Sequence, residues 1–122
     1  MAEVLIADDA SYMRNVLKRI IREAGHEVIA EAVNGDETIL LYRKHKPDLV
    51  LLDIKMPAGV MTKDGIDALK TIMSEDPSAK CVMCSSIEQQ SLVVEALKSG
   101  AKDFVIKPFK PRRVVELLCK YC

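Results

Sequence analysis

Apolar residues fall along this chain in two alternating rhythms. Short runs of strand length occur at 4–7, 28–30, 49–52, 81–84 and 104–106, and longer stretches with the 3.6-residue period of a helix lie between them. The clearest helical stretch follows Asp9, where Met13, Val16, Leu17, Ile20, Ile21 and Ala24 form one stripe at i, i+3, i+4, i+7, i+8 and i+11. Gly25 stops it. Further helices are predicted at 36–45, 65–75, 88–99 and 111–121, with Pro111 suited to a first turn and Gly100 to a C-terminal stop. Five nearly continuous apolar strands alternating with five helices predict an α/β doubly wound parallel sheet, covered on both faces and joined by right-handed crossovers.

In such a sheet every strand ends at the same edge, and ligands bind in the crevice there. The residues that follow each strand are therefore the candidates for chemistry. The first strand ends in Asp8 and Asp9, the third in Asp53, the fourth in Ser85 and Ser86, and the fifth in Lys107. The second ends without functional side chains, in Glu31 and Ala32, as an edge strand outside the crevice would. Two adjacent carboxylates repel each other unless a cation joins them. Hard oxygen donors in this number suit Mg²⁺, which takes one or two carboxylates and leaves positions for water and phosphate oxygens. With that charge balanced, one carboxylate is free to attack phosphorus and form an aspartyl phosphate. Lys107 and a hydroxyl would hold the phosphoryl oxygens. No paired histidines and no Gly-rich phosphate loop compete with this reading, and His26 and His45 read as solvated structural residues.

Composition narrows the partners. The chain has 122 residues, enough for one domain and one core, so 1–122 is expected to be a single domain. Lys plus Arg and Asp plus Glu number 18 each, so no net field draws it to nucleic acid or to an anionic membrane. The N-terminal apolar run lacks a basic flank and is too short for a signal peptide or a membrane span, which implies a cytoplasmic protein, and a monomer is expected. Four cysteines form two C-x-x-C pairs, Cys81 with Cys84 and Cys119 with Cys122, a spacing that zinc sites also use. The first pair lies in an apolar strand, however, where residues three apart point to opposite faces. All four are read as structural thiols.

"DD" after the first strand, "LLDIKMP" around Asp53, "MCSS" after the fourth strand and "DFVIKPF" at the fifth together resemble the receiver domain of two-component response regulators. The likeness runs end to end and is of the stand-alone chemotaxis type. It implies a flavodoxin-like (βα)5 fold with strand order 2-1-3-4-5. It further implies Asp53 as phosphoacceptor, with Asp8, Asp9, Asp53 and the backbone carbonyl of Lys55 around Mg²⁺. Ser85 would be the switch hydroxyl, with Ser86 beside it at the phosphate, Phe104 the switch aromatic and Lys107 the phosphate-binding lysine. The Lys107-Pro108 bond is expected to be cis. The implied partners are a histidine kinase and a downstream target, either a motor switch or adaptor protein or a histidine phosphotransfer domain. Such a protein is not an enzyme beyond accepting and slowly losing its own phosphoryl group.

Rival readings fit less well. A phosphohydrolase of the haloacid dehalogenase type needs D-x-D after its first strand, a flavodoxin needs a Ser/Thr-rich phosphate loop there, and a transcription factor needs an output domain. Three features depart from the receiver pattern. Six residues, Ala58 to Lys63, separate "MP" from "DG" where two are usual, and they read as a surface insertion bordering the metal site. Lys55 and Ile87 occupy the positions two residues beyond Asp53 and Ser85. Phe104 has no hydroxyl to donate.

Overall fold

The computed structural model describes residues 1–122. Its elements are β1 (Glu3–Ala7), α1 (Ser11–Glu23), β2 (Glu27–Ala32), α2 (Gly35–His45), β3 (Leu49–Asp53), α3 (Gly65–Glu75), β4 (Cys81–Ser85), α4 (Gln90–Lys98), β5 (Asp103–Ile106) and α5 (Pro111–Tyr121). The strands pair in parallel in the order β2-β1-β3-β4-β5, so the doubly wound, flavodoxin-like sheet is as expected.

Strand alternation divides the core into two layers. Leu5, Ala7, Val50, Leu52, Cys81 and Met83 point toward α2, α3 and α4, where Ile39, Leu69 and Val93 meet them. Val4, Ile6, Leu49, Leu51, Val82 and Cys84 point toward α1 and α5, where Leu17, Ile21, Val114 and Leu118 meet them. Every residue of β3 is buried. A strand buried on both faces needs apolar residues at every position, which is why these segments lack a polar alternation. Cys81 and Cys84 accordingly fall in opposite layers.

Helix boundaries follow local chemistry. Gly25 adopts φ 87°, the left-handed conformation that ends α1, where a side chain would be strained. Asn34 caps α2 by accepting from Glu37 N, and Asp64 caps α3 by accepting from Asp67 N. The fourth helix begins later than the periodicity predicts. Ile87–Gln89 form a 3₁₀ turn, because Gln89 Oε1 accepts from Ser86 N while Ser86 accepts from Gln89 in return, and α4 proper starts at Gln90. The second strand runs longer than predicted. It is the half-buried edge of the sheet, and the pairing slips between Val4 and Leu5 to accommodate an extra residue. No helix is long and apolar enough to cross a membrane.

Candidate functional site

The C-terminal edge of the sheet gathers the predicted residues. Asp8, Asp9 and Asp53 bring carboxylate oxygens within 4.8 Å of one another, at the ends of adjacent strands β1 and β3. Asp53 is only 4% exposed, at the floor of the pocket, and Asp8 is buried while Asp9 faces solvent. Lys107 enters from the turn after β5. Its Nζ lies 3.0 Å from Asp8 Oδ2 and 3.1 Å from Asp53 Oδ2, so one ammonium is shared by two buried carboxylates. The backbone holds this lysine in place through Lys107 N donating to Ser85 O at 2.8 Å, and the Lys107-Pro108 bond is cis.

Charge in the pocket is unbalanced. Burial pushes the Asp53 carboxyl up to about 6; Lys107 opposes the rise, and Asp8 and Asp9 add to it. Burial disfavours the charged Lys107, but the Asp53 and Asp8 carboxylates prevail and hold its pKa above the ordinary lysine value. Asp8 Oδ1 accepts from Ala10 N at 2.9 Å. The only charged group that meets its Oδ2 is the Lys107 ammonium, which that oxygen shares with Asp53. Three clustered carboxylates facing a single shared ammonium form a donor set that fits Mg²⁺. Lys55, two residues beyond Asp53, is exposed.

Ser85 ends β4 fully buried, and its Oγ has no hydrogen-bond partner. A buried hydroxyl left unpaired is costly, and this one is free to donate to an acceptor. Ser86 is instead drawn into the turn before α4, where its side chain accepts from the Gln89 backbone. A hydroxyl can accept there and still donate elsewhere. Phe104 is half-buried against the layer of α2, α3 and α4, and beside it opens a groove of about 610 Å³ lined by Ile87, Lys107, Pro108 and Arg113.

Several contributors were invisible to the strand-end comparison. Arg14 on α1 donates from its Nη1 to Asp8 O at 2.8 Å and from Nε to Glu31 Oε1 at 2.9 Å, and Lys18 joins Glu31 at 3.1 Å. Glu31 is therefore not a featureless strand end, since it anchors the arginine that fixes the Asp8 backbone. Gly65 packs directly against the Asp53 backbone. A Cβ there would lie 1.9 Å from Asp53 O, so only glycine lets α3 approach this closely. The insertion is pinned rather than loose. Asp36 on α2 accepts from Val60 N at 2.7 Å, Met61 N at 3.0 Å and Thr62 Oγ1 at 2.8 Å, and Thr62 packs buried against Gly35.

The response regulator receiver domain profile matches residues 4–119. The chain is 55% identical over 117 residues to the chemotaxis protein CheY of Thermotoga maritima, covering 96% of this chain and 94% of that one. It is 51% identical to the chemotaxis protein CheY of Listeria monocytogenes over 98% of both chains. Among solved structures, the CheX-CheY-BeF3-Mg²⁺ complex from Borrelia burgdorferi superposes with a TM-score of 0.88 at 34% identity, covering 97% of this chain and 87% of that one.

Proposed function

This chain belongs to the response regulator receiver domain family, and we propose that Asp53 is its phosphoacceptor, charged by a histidine kinase in a Mg²⁺-dependent transfer. Receiver domains are signalling proteins of two-component systems that are phosphorylated on aspartate, and the relatives at about half identity are chemotaxis regulators. The single observation that carries the assignment to Asp53 is the buried, unpartnered Ser85 hydroxyl on the strand beside this carboxylate.

Each side chain then has a task. The Asp53 oxygen attacks phosphorus. Asp8, Asp9, Asp53 and the Lys55 carbonyl would hold Mg²⁺, whose charge neutralises the phosphoryl oxygens as it does in phosphoryl transfer generally. Lys107 pairs with one phosphoryl oxygen and Ser85 donates to another, with Ser86 alongside. Arg14, tied to Glu31, keeps the Asp8 backbone where its carboxylate faces the pocket. Once the phosphoryl group engages Ser85, the turn after β4 moves inward and Phe104 rotates into the space released. The groove beside the ring gives it room to move. The face so reshaped, α4-β5-α5, binds the target, a motor switch or adaptor protein of chemotaxis. The protein works as a cytoplasmic monomer of one domain and catalyses only its own phosphoryl acceptance and slow loss.

The test is to supply acetyl phosphate and Mg²⁺ and weigh the protein by mass spectrometry. Wild type should gain one acid-stable, base-labile phosphoryl group, and Asp53→Ala should gain none. Equal uptake by both would remove Asp53 from its role.

A further inference from the structure

The insertion after β3 spends its polar groups on holding itself still. Three donors converge on Asp36, Gly59 N adds a bond of 2.8 Å to Thr62 O, and the buried Thr62 closes the base. The tip so fixed is nevertheless apolar: Val60 is 100% exposed and Met61 is half exposed beside it. The exposed tip itself buries little apolar surface in the free protein. Its order does lower the cost of meeting another surface.

The tip is one of three exposed apolar projections that follow strands ending at the same edge of the sheet. Tyr12, in the first turn of α1 after β1, is 73% exposed, and Ile87, in the turn after β4, is 68% exposed. With Val60 they lie on the three connections that leave β1, β3 and β4, whose ends carry Asp8, Asp53 and Ser85. Asp53, buried, ends the middle one of these three strands. A histidine that hands it a phosphoryl group must reach inward, so the protein bearing that histidine must settle on this edge of the sheet. The insertion leans on α2, on the β2 side of the sheet, whereas the expected target face lies at β5, the opposite edge. The phosphodonor is therefore the occupant that this tip suits.

We propose that Val60 and Met61 form a docking contact for the protein that donates the phosphoryl group, a domain presenting a phosphohistidine. This rests on the reading of Asp53 as acceptor. In the transfer the N–P bond of the phosphohistidine breaks, its electron pair returns to the imidazole, which takes up a proton, and a P–O bond forms to Asp53. The tip touches the donor's surface and none of the reacting atoms. A small donor has no surface to dock, so the contact should matter only for a protein donor.

The experiment compares two donors on wild type and on the double variant Val60→Ser, Met61→Ser. One donor is acetyl phosphate. The other is the autophosphorylated histidine kinase of the source organism that labels the wild-type chain fastest when its kinases are purified and profiled in vitro. The variant should accept from acetyl phosphate within about twofold of wild type, while transfer from the kinase should slow about tenfold, as truncating an interface anchor typically does. An unchanged rate from the kinase overturns the proposal, and so does an equal loss with both donors, which would make the loop part of the chemistry. Failure of the acceptor reading is separate: wild type would then take no label from acetyl phosphate, or Asp53→Ala would take as much.

Discussion

At the scale of single residues, Asp53 carries a charge that its surroundings disfavour. Its folded pKa is raised to about 6 from an ordinary 3.8, so the unfolded chain releases this proton before the folded one does, and stability falls as pH rises through that window. Asp53→Asn keeps the shape and removes the charge. In chelator at pH 7 this variant should be more stable than wild type, by at most about 3 kcal/mol at 1.4 kcal/mol per pH unit, and the gain should fade by pH 4. Urea unfolding at the two pH values measures it, and a less stable variant at pH 7 would contradict the burial argument. Asp8, Asp9, Asp53, Ser85 and Lys107 were legible in the sequence because each ends a strand or follows one within two residues. Arg14 and Glu31 were not, because their bond joins residues 17 positions apart on a helix and an edge strand, and neither lies in a motif.

At the scale of elements, periodicity located all five helices and five strands, and it failed where side chains rather than period set the boundary. The capping pair Ser86 and Gln89 converts the start of α4 into a 3₁₀ turn. Asp36, an ordinary first-turn acid by sequence, becomes the anchor of a loop 24 residues away. Asp36→Ala should therefore unpin the insertion while leaving the sheet intact. The loss of stability should be small, because the freed backbone donors are exposed and can turn to water. Amide exchange should quicken most at Val60 and Met61, and unchanged protection there would show that the loop is held by other means. The two C-x-x-C pairs make the opposite case, a spacing with no site behind it. Cys81 and Cys84 face opposite layers, burial pushes the Cys81 thiol up to about 12, and only Cys119 and Cys122 are exposed. Zinc bound across both pairs would make metal part of the folding free energy. The purified protein should instead hold substoichiometric zinc, and chelator should leave its melting temperature unchanged.

At the scale of the whole molecule, the pocket and the expected target face are linked through β4 and β5, since Ser85 pairs with Ile106 and the buried hydroxyl is two residues from Ile87. Beryllofluoride with Mg²⁺ should shift NMR signals along α4, β5 and α5, and shifts confined to the pocket would show that the coupling is absent. How long that state lasts depends on water. Hydrolysis needs a water aligned opposite the Asp53 oxygen, and Lys55 and Ile87, both exposed and two residues beyond Asp53 and Ser85, are expected to flank the approach. Ile87 neither donates nor accepts a hydrogen bond and so cannot orient that water. The Lys55 ammonium can reach the phosphoryl oxygens and stand in its path, although its charge also favours attack. Obstruction should win, because positioning a nucleophile is worth more than one solvated charge. Each tenfold of lifetime needs only about 1.4 kcal/mol of barrier, within what one displaced water supplies. The phosphorylated protein should therefore decay more slowly than the double variant Lys55→Asn, Ile87→Glu once acetyl phosphate is removed. A long-lived state would suit a relay that passes phosphate to a histidine phosphotransfer domain, or a chemotaxis protein served by a separate phosphatase, and faster decay in wild type than in the variant would rule out obstruction.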